Sequence, residues 1–132
     1  MITIKTLVEI AGFPESHVNE IMEKIIEKLE KENGIKIIKK NVGKAEKVKE
    51  MYSSFADLEL DVDNLQVLMG FCFDYTPTSI EIVDIKELTF KVKELTNSLN
   101  DMLSKLHQYN YLVTNIHAEN TVLKQKLEKS PK

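Results

Sequence analysis

A heptad repeat in the last third of the chain constrains the fold more than any other feature. Between about Ile85 and Leu127, apolar residues recur at alternating spacings of four and three residues, which is the pattern of a coiled coil. This repeat, called the heptad seam below, consists of Leu88, Val92, Leu95, Leu99, Met102, Leu106, Tyr109, Val113, Ile116, Asn120, Leu123 and Leu127. A helix over residues 85–129 would span roughly 65 Å, about twice the width of a globule made from the rest of the chain. The sequence therefore predicts that much of this helix pairs with another helix.

Asn120 is the one polar residue of the heptad seam, and it favours a parallel homodimer. In a parallel pair it occupies an a position, where it can bond its symmetry mate and so select a two-stranded state at some cost in stability. An antiparallel partner would instead place Asn120 opposite apolar residues near Leu95. Glu119 at g and Lys124 at e of the partner attract each other in the same parallel geometry. We expect the seam to pair with itself, and pairing with a different chain is the alternative.

The residues before the seam predict a small α+β head. Alternating apolar residues predict strands over 2–10, 35–40, 56–62 and 79–83, and helical spacing predicts helices from Pro14 to Leu29 and from Leu65 to Cys72. Residues 43–53 would suit a short helix. This order predicts a ferredoxin-like βαββαβ fold, with a four-stranded antiparallel sheet and two helices on one face. We assign residues 1–84 to this domain, 85–129 to the dimerising C-terminal coiled-coil helix and 130–132 to a disordered tail.

Local signals predict where the helices begin and end. Asp63 with Gln66, and Asp84 with Glu87, have the spacing of a capping box, so we expect the second head helix and the long helix to begin there. Gly34 is expected to end the first helix in a left-handed conformation.

Charge and cysteine content exclude several classes of protein. The 132-residue chain has a net charge of −3, and all 18 of its basic residues are lysine. Without arginine, the usual reader of phosphates and guanine edges, a nucleic-acid partner is not favoured. A single cysteine, Cys72, excludes an internal disulfide framework and a cysteine-based zinc site. We expect no signal peptide and no membrane contact, because the N-terminal apolar residues alternate and no apolar run reaches spanning length. A cytoplasmic location is the expectation.

No group of residues indicates a reaction, so we predict no catalytic, cofactor-binding or metal-binding residues and no enzyme activity. His107 and His117 are ten residues apart on one helix, and a zinc site needs three or four convergent ligands. Cys72 belongs to a predicted buried stripe and needs no further role. Asp57, Glu59, Asp61 and Asp63 form an acidic row that reads first as a solvated strand face. A docking surface for a basic partner, or a weak divalent-cation site, is the alternative reading of that row.

Lysines are concentrated between Lys36 and Lys49, on the second strand and the loop after it. Lysine protects an edge strand from pairing with its neighbours, which is the first explanation. Nucleic-acid binding is the alternative, although no aromatic residues interleave with the lysines to stack on bases.

Two segments of the head carry a resemblance to a known family. The run V-E-I-A-G-F-P over 8–14 is followed by a helix and then by G-I-K-I over 34–37. These segments resemble the strand, glycine-proline turn and second strand in the first half of an ACT domain. The resemblance implies regulatory binding of a small molecule, with Gly12, Phe13 and Pro14 as a possible ligand loop. The runs F-A-D-L-E over 55–59 and G-F-C-F-D-Y over 70–75 also look similar to small archaeal proteins of no assigned function.

The long helix resembles a leucine zipper of the basic-leucine-zipper class. The likeness lies in Leu103-Ser104-Lys105, in Glu119-Asn120 and in Leu123. A strand over 79–84 stands where that class has its basic DNA-reading helix. The resemblance therefore implies a dimerisation device and not a DNA-binding factor.

These observations favour a non-enzymatic, homodimeric assembly or adaptor protein that presents two small α+β heads to a protein partner. Tyr111 and Leu112, outside the heptad seam, are candidate contacts for that partner. The first alternative is an ACT-like regulatory dimer that senses a small molecule, and the second is a nucleic-acid-associated protein.

Overall fold

The computed structural model describes residues 1–129, so the expected disordered tail lies outside the described residues. An α+β head is followed by one long helix. The elements are β1 (Ile2–Gly12), α1 (Glu15–Glu30), β2 (Ile35–Val42), β3 (Glu46–Val48), β4 (Met51–Val62), α2 (Leu65–Tyr75), β5 (Ser79–Ile82) and α3 (Val92–Lys129). The strands form one antiparallel sheet in the order β2-β4-β1-β5, and β3 pairs with β4. The ferredoxin-like prediction is confirmed, with five strands instead of four.

The core lies between one face of the sheet and the helices α1 and α2. Alternation along β1 and β4 turns every second side chain toward the helices, which is why Ile4, Val8 and Leu60 are buried. Helix α1 meets them with an apolar stripe at helical spacing, formed by Val18, Met22, Ile26 and Leu29. The opposite face of the sheet carries no helix of the described chain and is open to solvent.

The expected short helix over 43–53 is wrong, because this segment belongs to the sheet. Residues 46–48 form β3, and β4 begins at Met51, earlier than the alternating pattern indicated. Ser53 pairs with Ala11 and Ser54 with Ile10, and both serines are buried. The Ser54 hydroxyl donates to the Gly43 carbonyl at 2.8 Å. Because these buried positions are polar, the alternation of apolar residues did not show that the strand begins before Ala56.

The two expected capping boxes are also wrong. Helix α2 is capped by Asn64, whose side-chain oxygen accepts a hydrogen bond from the Val67 amide at 2.9 Å. Gln66 does not turn back to the cap. Gly34 does adopt the expected left-handed conformation, with φ of 84°, but it lies beyond the end of α1 and leads into β2.

The long helix begins at Val92 and not near Asp84. The Val83 amide donates to the Thr3 carbonyl at 3.0 Å, so the chain is still attached to β1 where the helix was expected to begin. Asp84 has a φ of 66°, which is left-handed and incompatible with a helical start. The chain then runs without regular structure to Lys91, and Phe90 packs against the core on the way. At 38 residues, α3 is about 57 Å long.

Candidate functional site

The first half of α3 lies against α2 through a narrow contact that combines polar and apolar side chains. The Gln66 amide donates to the Asp101 carboxylate at 2.8 Å, and the Lys105 ammonium lies 3.4 Å from the Asp74 carboxylate. Ser98 is the one residue that α3 buries, and its hydroxyl has no hydrogen-bond partner among the described residues. A cavity of about 450 Å³ remains beside Ser98 between the two helices. The first half of α3 therefore has few buried contacts with its own head.

Tyr109 ends the contact with α2. Its ring lies 6.4 Å from the Phe73 ring at an angle of 20°, and its hydroxyl donates to the Phe73 carbonyl at 3.4 Å. The Lys105 ammonium lies 5.9 Å from the same Phe73 ring. Met102, one turn after Ser98, is half-buried beside α2. Two d positions of the heptad seam, Met102 and Tyr109, therefore face the head of their own chain.

The remaining seam residues are exposed in this single chain. Leu88 lies in the irregular segment before α3, and the others lie on the helix itself: Val92, Leu95, Leu99, Leu106, Val113, Ile116, Asn120, Leu123 and Leu127. Beyond Tyr109, every described residue of α3 is exposed, including Glu119 and Lys124. The helix thus extends away from the head with an apolar stripe that no described residue of its own chain covers. Pairing through the seam stays a prediction.

Three members of the acidic row, Asp57, Glu59 and Asp61, lie on the open face of β4, and Asp63 follows the end of that strand. The strand register aligns Lys39, Glu59, Lys5 and Glu81 across four strands, so that each charge has opposite charges on the neighbouring strands. A hollow of about 950 Å³ lies over these residues. Among residues 1–129, no group of three or more histidine, cysteine or acidic side chains is arranged to hold a metal ion. Around Glu59, the acidic row is therefore part of a charge-balanced sheet face.

The lysine-rich stretch over 36–49 begins on an edge strand. Strand β2 pairs with β4 on one side only, and a register shift between Ile37 and Lys39 interrupts its ladder. Lys40 bonds Glu30 on α1 at 2.8 Å. Lysine and an irregular register both discourage pairing at an exposed edge, which supports the structural explanation for these lysines.

The candidate nucleophile and the histidines lie apart from one another. Burial raises the pKa of the Cys72 thiol above its ordinary value, which disfavours the reactive thiolate. His17 is exposed on α1, and His107 and His117 are exposed on α3. Nothing in these positions assembles a nucleophile with a base.

The possible ligand loop borders an apolar surface that the sequence did not indicate. Phe13 is exposed, and its ring lies 6.2 Å from that of Tyr52. Nearby on the open sheet face, Val48, Met51 and Phe55 are exposed around a hollow of about 700 Å³. They come together because β3 turns back and pairs with β4. The sequence pattern did not indicate this hairpin, because it predicted a short helix over 43–53. A ligand role for Gly12, Phe13 and Pro14 stays a prediction.

Comparison with known proteins assigns the chain to one family. The chain belongs to the MJ0538 family, whose model matches residues 3–132. The family is named after a Methanocaldococcus protein, which agrees with the archaeal likeness of the sequence. No curated protein and no solved structure matches the chain. Within residues 1–129, none of the helices is both long and apolar enough to cross a bilayer.

Proposed function

We propose that this protein is a homodimeric, non-enzymatic assembly or adaptor protein, in which a parallel coiled coil presents two α+β heads to a protein partner. The observation that carries the proposal is the exposed part of the heptad seam beyond Tyr109. A long helix with an uncovered apolar stripe is unfavourable in water, and a second identical helix covers it with the same stripe.

Asn120 gives the proposed dimer its orientation. It lies at an exposed a position between apolar seam residues, so burying it in a pair costs free energy unless its amide finds a partner. Only a parallel, in-register pair brings two Asn120 amides together. Glu119 and Lys124 flank it on the exposed surface and attract each other between chains in the same register.

Sedimentation equilibrium at micromolar concentration tests the dimer. We expect the mass of two chains, and a monomer at these concentrations would overturn the proposal. Orientation is tested in a Cys72→Ser background by comparing Leu127→Cys with Gln125→Cys, because Leu127 lies in the seam and Gln125 lies opposite to it. A parallel dimer forms a disulfide readily through position 127 and poorly through 125, whereas an antiparallel dimer separates the two cysteines at 127 by most of the helix.

The heads and the outer surface of the coil are the proposed contacts for the protein partner. Tyr111 and Leu112 are exposed apolar residues outside the seam. We expect Tyr111→Ala combined with Leu112→Ala to leave the dimer intact and to reduce recovery of the partner when the protein is used as bait in extracts of its native cells. Unchanged recovery would remove these two residues from the partner surface.

A further inference from the structure

Helix α3 presents two different faces over its first half. Ser98, Met102, Lys105 and Tyr109 follow one another at spacings of four, three and four, so they lie on one face, and this face contacts α2. Three leucines each directly follow one of these residues: Leu99, Leu103 and Leu106. Consecutive residues of an α-helix are rotated by about 100°, so the leucines lie roughly a quarter turn away from α2.

These three leucines and Leu95 form what is called the leucine stripe below. All four are between 41% and 48% exposed, although α2 is docked beside them. Leu103 is not a seam residue, since it occupies an e position of the heptad. Met102 and Tyr109, which are d residues, are turned toward α2 instead. The exposed apolar surface in this half of the helix is therefore rotated away from the regular a/d seam.

The charges around the leucine stripe indicate a surface built for burial. Between Leu95 and Leu106, the only Asp, Glu or Lys residues are Asp101 and Lys105. Both bond with α2, at Gln66 and Asp74 respectively. The stripe side is flanked by uncharged residues in a chain that is 30% charged. Depletion of charge around exposed apolar residues is the composition of an interface core and not of a solvated helix face.

We infer that the leucine stripe is the surface through which a second copy of this chain packs on the first half of α3, while α2 stays docked on its own helix. The inference rests on the proposed dimer and specifies its interface. Near the heads the contact uses a and e positions with Leu95, and beyond Tyr109 it returns to the regular a/d seam. Each head is then fixed to its own helix, and the partner's α3 lies roughly a quarter turn around α3 from α2.

The second copy is the occupant because the helix is continuous. From Val113 to Leu127 the regular seam covers only about two heptads, which is marginal for an isolated pair of helices in water. Once these segments pair in parallel, the preceding turns of the two helices are held side by side. The leucine stripe is the uncovered apolar surface available there to continue the contact.

Substitutions at Leu103 and Met102 test the interface, with sedimentation equilibrium of the full chain as the measurement. A regular a/d zipper depends on the d residue Met102 more than on the e residue Leu103. The inference reverses that order: Leu103→Gln should weaken dimerisation by roughly tenfold, and Met102→Gln by less than about threefold. Val122→Gln is the control for loss of an exposed apolar residue outside both surfaces, and it should leave the dimer unchanged.

The outcomes separate this inference from the proposed function. A wild-type monomer overturns the dimer itself. A wild-type dimer in which Met102→Gln weakens association as much as Leu103→Gln, or more, overturns the leucine stripe and leaves the dimer standing. Leu103 is half-exposed, so its substitution should not unfold the head, and thermal melting followed by circular dichroism checks that each variant is folded. A head that melts as in the wild type, together with a dimer weakened by Leu103→Gln alone, supports the inference.

Discussion

Helices α1 and α3 are both amphipathic, yet only α1 finds its apolar partner within the chain. Val18, Met22 and Leu29 of α1 are nearly or completely buried against the sheet. Over its 38 residues, α3 buries only Ser98. Apolar residues recur at regular helical spacings in both helices, so the periodicity indicates which face will be covered but not what covers it.

The difference lies in what each helix faces. The sheet offers α1 a broad apolar surface, and hydrophobic burial holds the helix in place. Helix α2 offers α3 a narrow surface with Gln66, Asp74 and the Phe73 ring, and the resulting contacts are few and partly solvated. Exposed hydrogen bonds and ion pairs of this kind contribute little free energy. We therefore expect substitutions in α1 to affect folding and substitutions in α3 to affect association.

The largest expected effect is a difference in the stability of the head between Leu29→Ala in α1 and Leu123→Ala in α3. Leu29→Ala leaves a cavity in the core and should lower the free energy of unfolding of the head by about 2–5 kcal/mol. Leu123→Ala removes the same side chain from an exposed position and should change head stability by less than about 0.5 kcal/mol at concentrations where the protein is monomeric. Urea unfolding of dilute samples measures both variants, and sedimentation should show a weakened dimer for Leu123→Ala only. Equal losses of head stability would end the distinction between the two helices.

Asn120→Ile replaces the single polar residue of the heptad seam and so makes the exposed stripe of α3 entirely apolar. Isoleucine at an a position removes a polar group from the proposed interface, so we expect a higher melting temperature and a less specific oligomeric state. Thermal melting at several protein concentrations, together with sedimentation, measures both effects. A large loss of stability would contradict the position of Asn120 in the seam.

The parts of the fold that the sequence predicted are those governed by local alternation or helical spacing. Strand β1, helix α1 and the alternating part of β4 follow directly from their apolar residues. The start of α3 could not be found in this way, because the bond from Val83 to Thr3 and the packing of Phe90 join residues distant in sequence. The contact between α2 and α3 was equally hidden, because its polar bonds leave no mark in the hydrophobic pattern and its apolar residues Met102 and Tyr109 occupy ordinary positions of the heptad seam.

Of the candidate site, the sequence predicted the heptad seam. It did not show that Met102 and Tyr109 would contact α2 while the other seam residues stay exposed. The heptad treats Met102 and Tyr109 like any other d residue. Their turn toward α2 depends on where the head lies beside the helix, and the contacts that join the two, such as that of Gln66 with Asp101, link residues distant in sequence. Leu103 was the one sign in the sequence that the apolar surface differs from the a/d seam here, because it is an apolar residue at an e position.

A smaller effect on stability is expected at the N-terminus of α2, where Asn64 caps the helix instead of Asp63, the residue that the sequence indicated. Asn64→Ala removes the acceptor of the Val67 amide and should lower the free energy of unfolding by about 1 kcal/mol. Asp63→Ala removes a neighbouring side chain of similar chemistry that does not cap the helix, and should cost no more than a few tenths of a kcal/mol. Urea unfolding at neutral pH compares the pair. A greater loss for Asp63→Ala would restore the capping box inferred from spacing.

A pH-dependent effect is expected where α2 meets the segment after α1. The Tyr75 hydroxyl donates to the Glu32 carboxylate at 2.8 Å, and burial, reinforced by this bond and by the negative charge of Glu32, raises the pKa of Tyr75 in the folded protein. The stabilisation is complete below the unfolded pKa of about 10 and is lost as pH rises toward the higher folded value, because only the unfolded state then releases the proton. Tyr75→Phe should cost about 1 kcal/mol near neutral pH. The advantage of the wild type over Tyr75→Phe should shrink above about pH 10 in urea unfolding, and an advantage that does not change with pH would show that the phenol does not titrate differently in the two states.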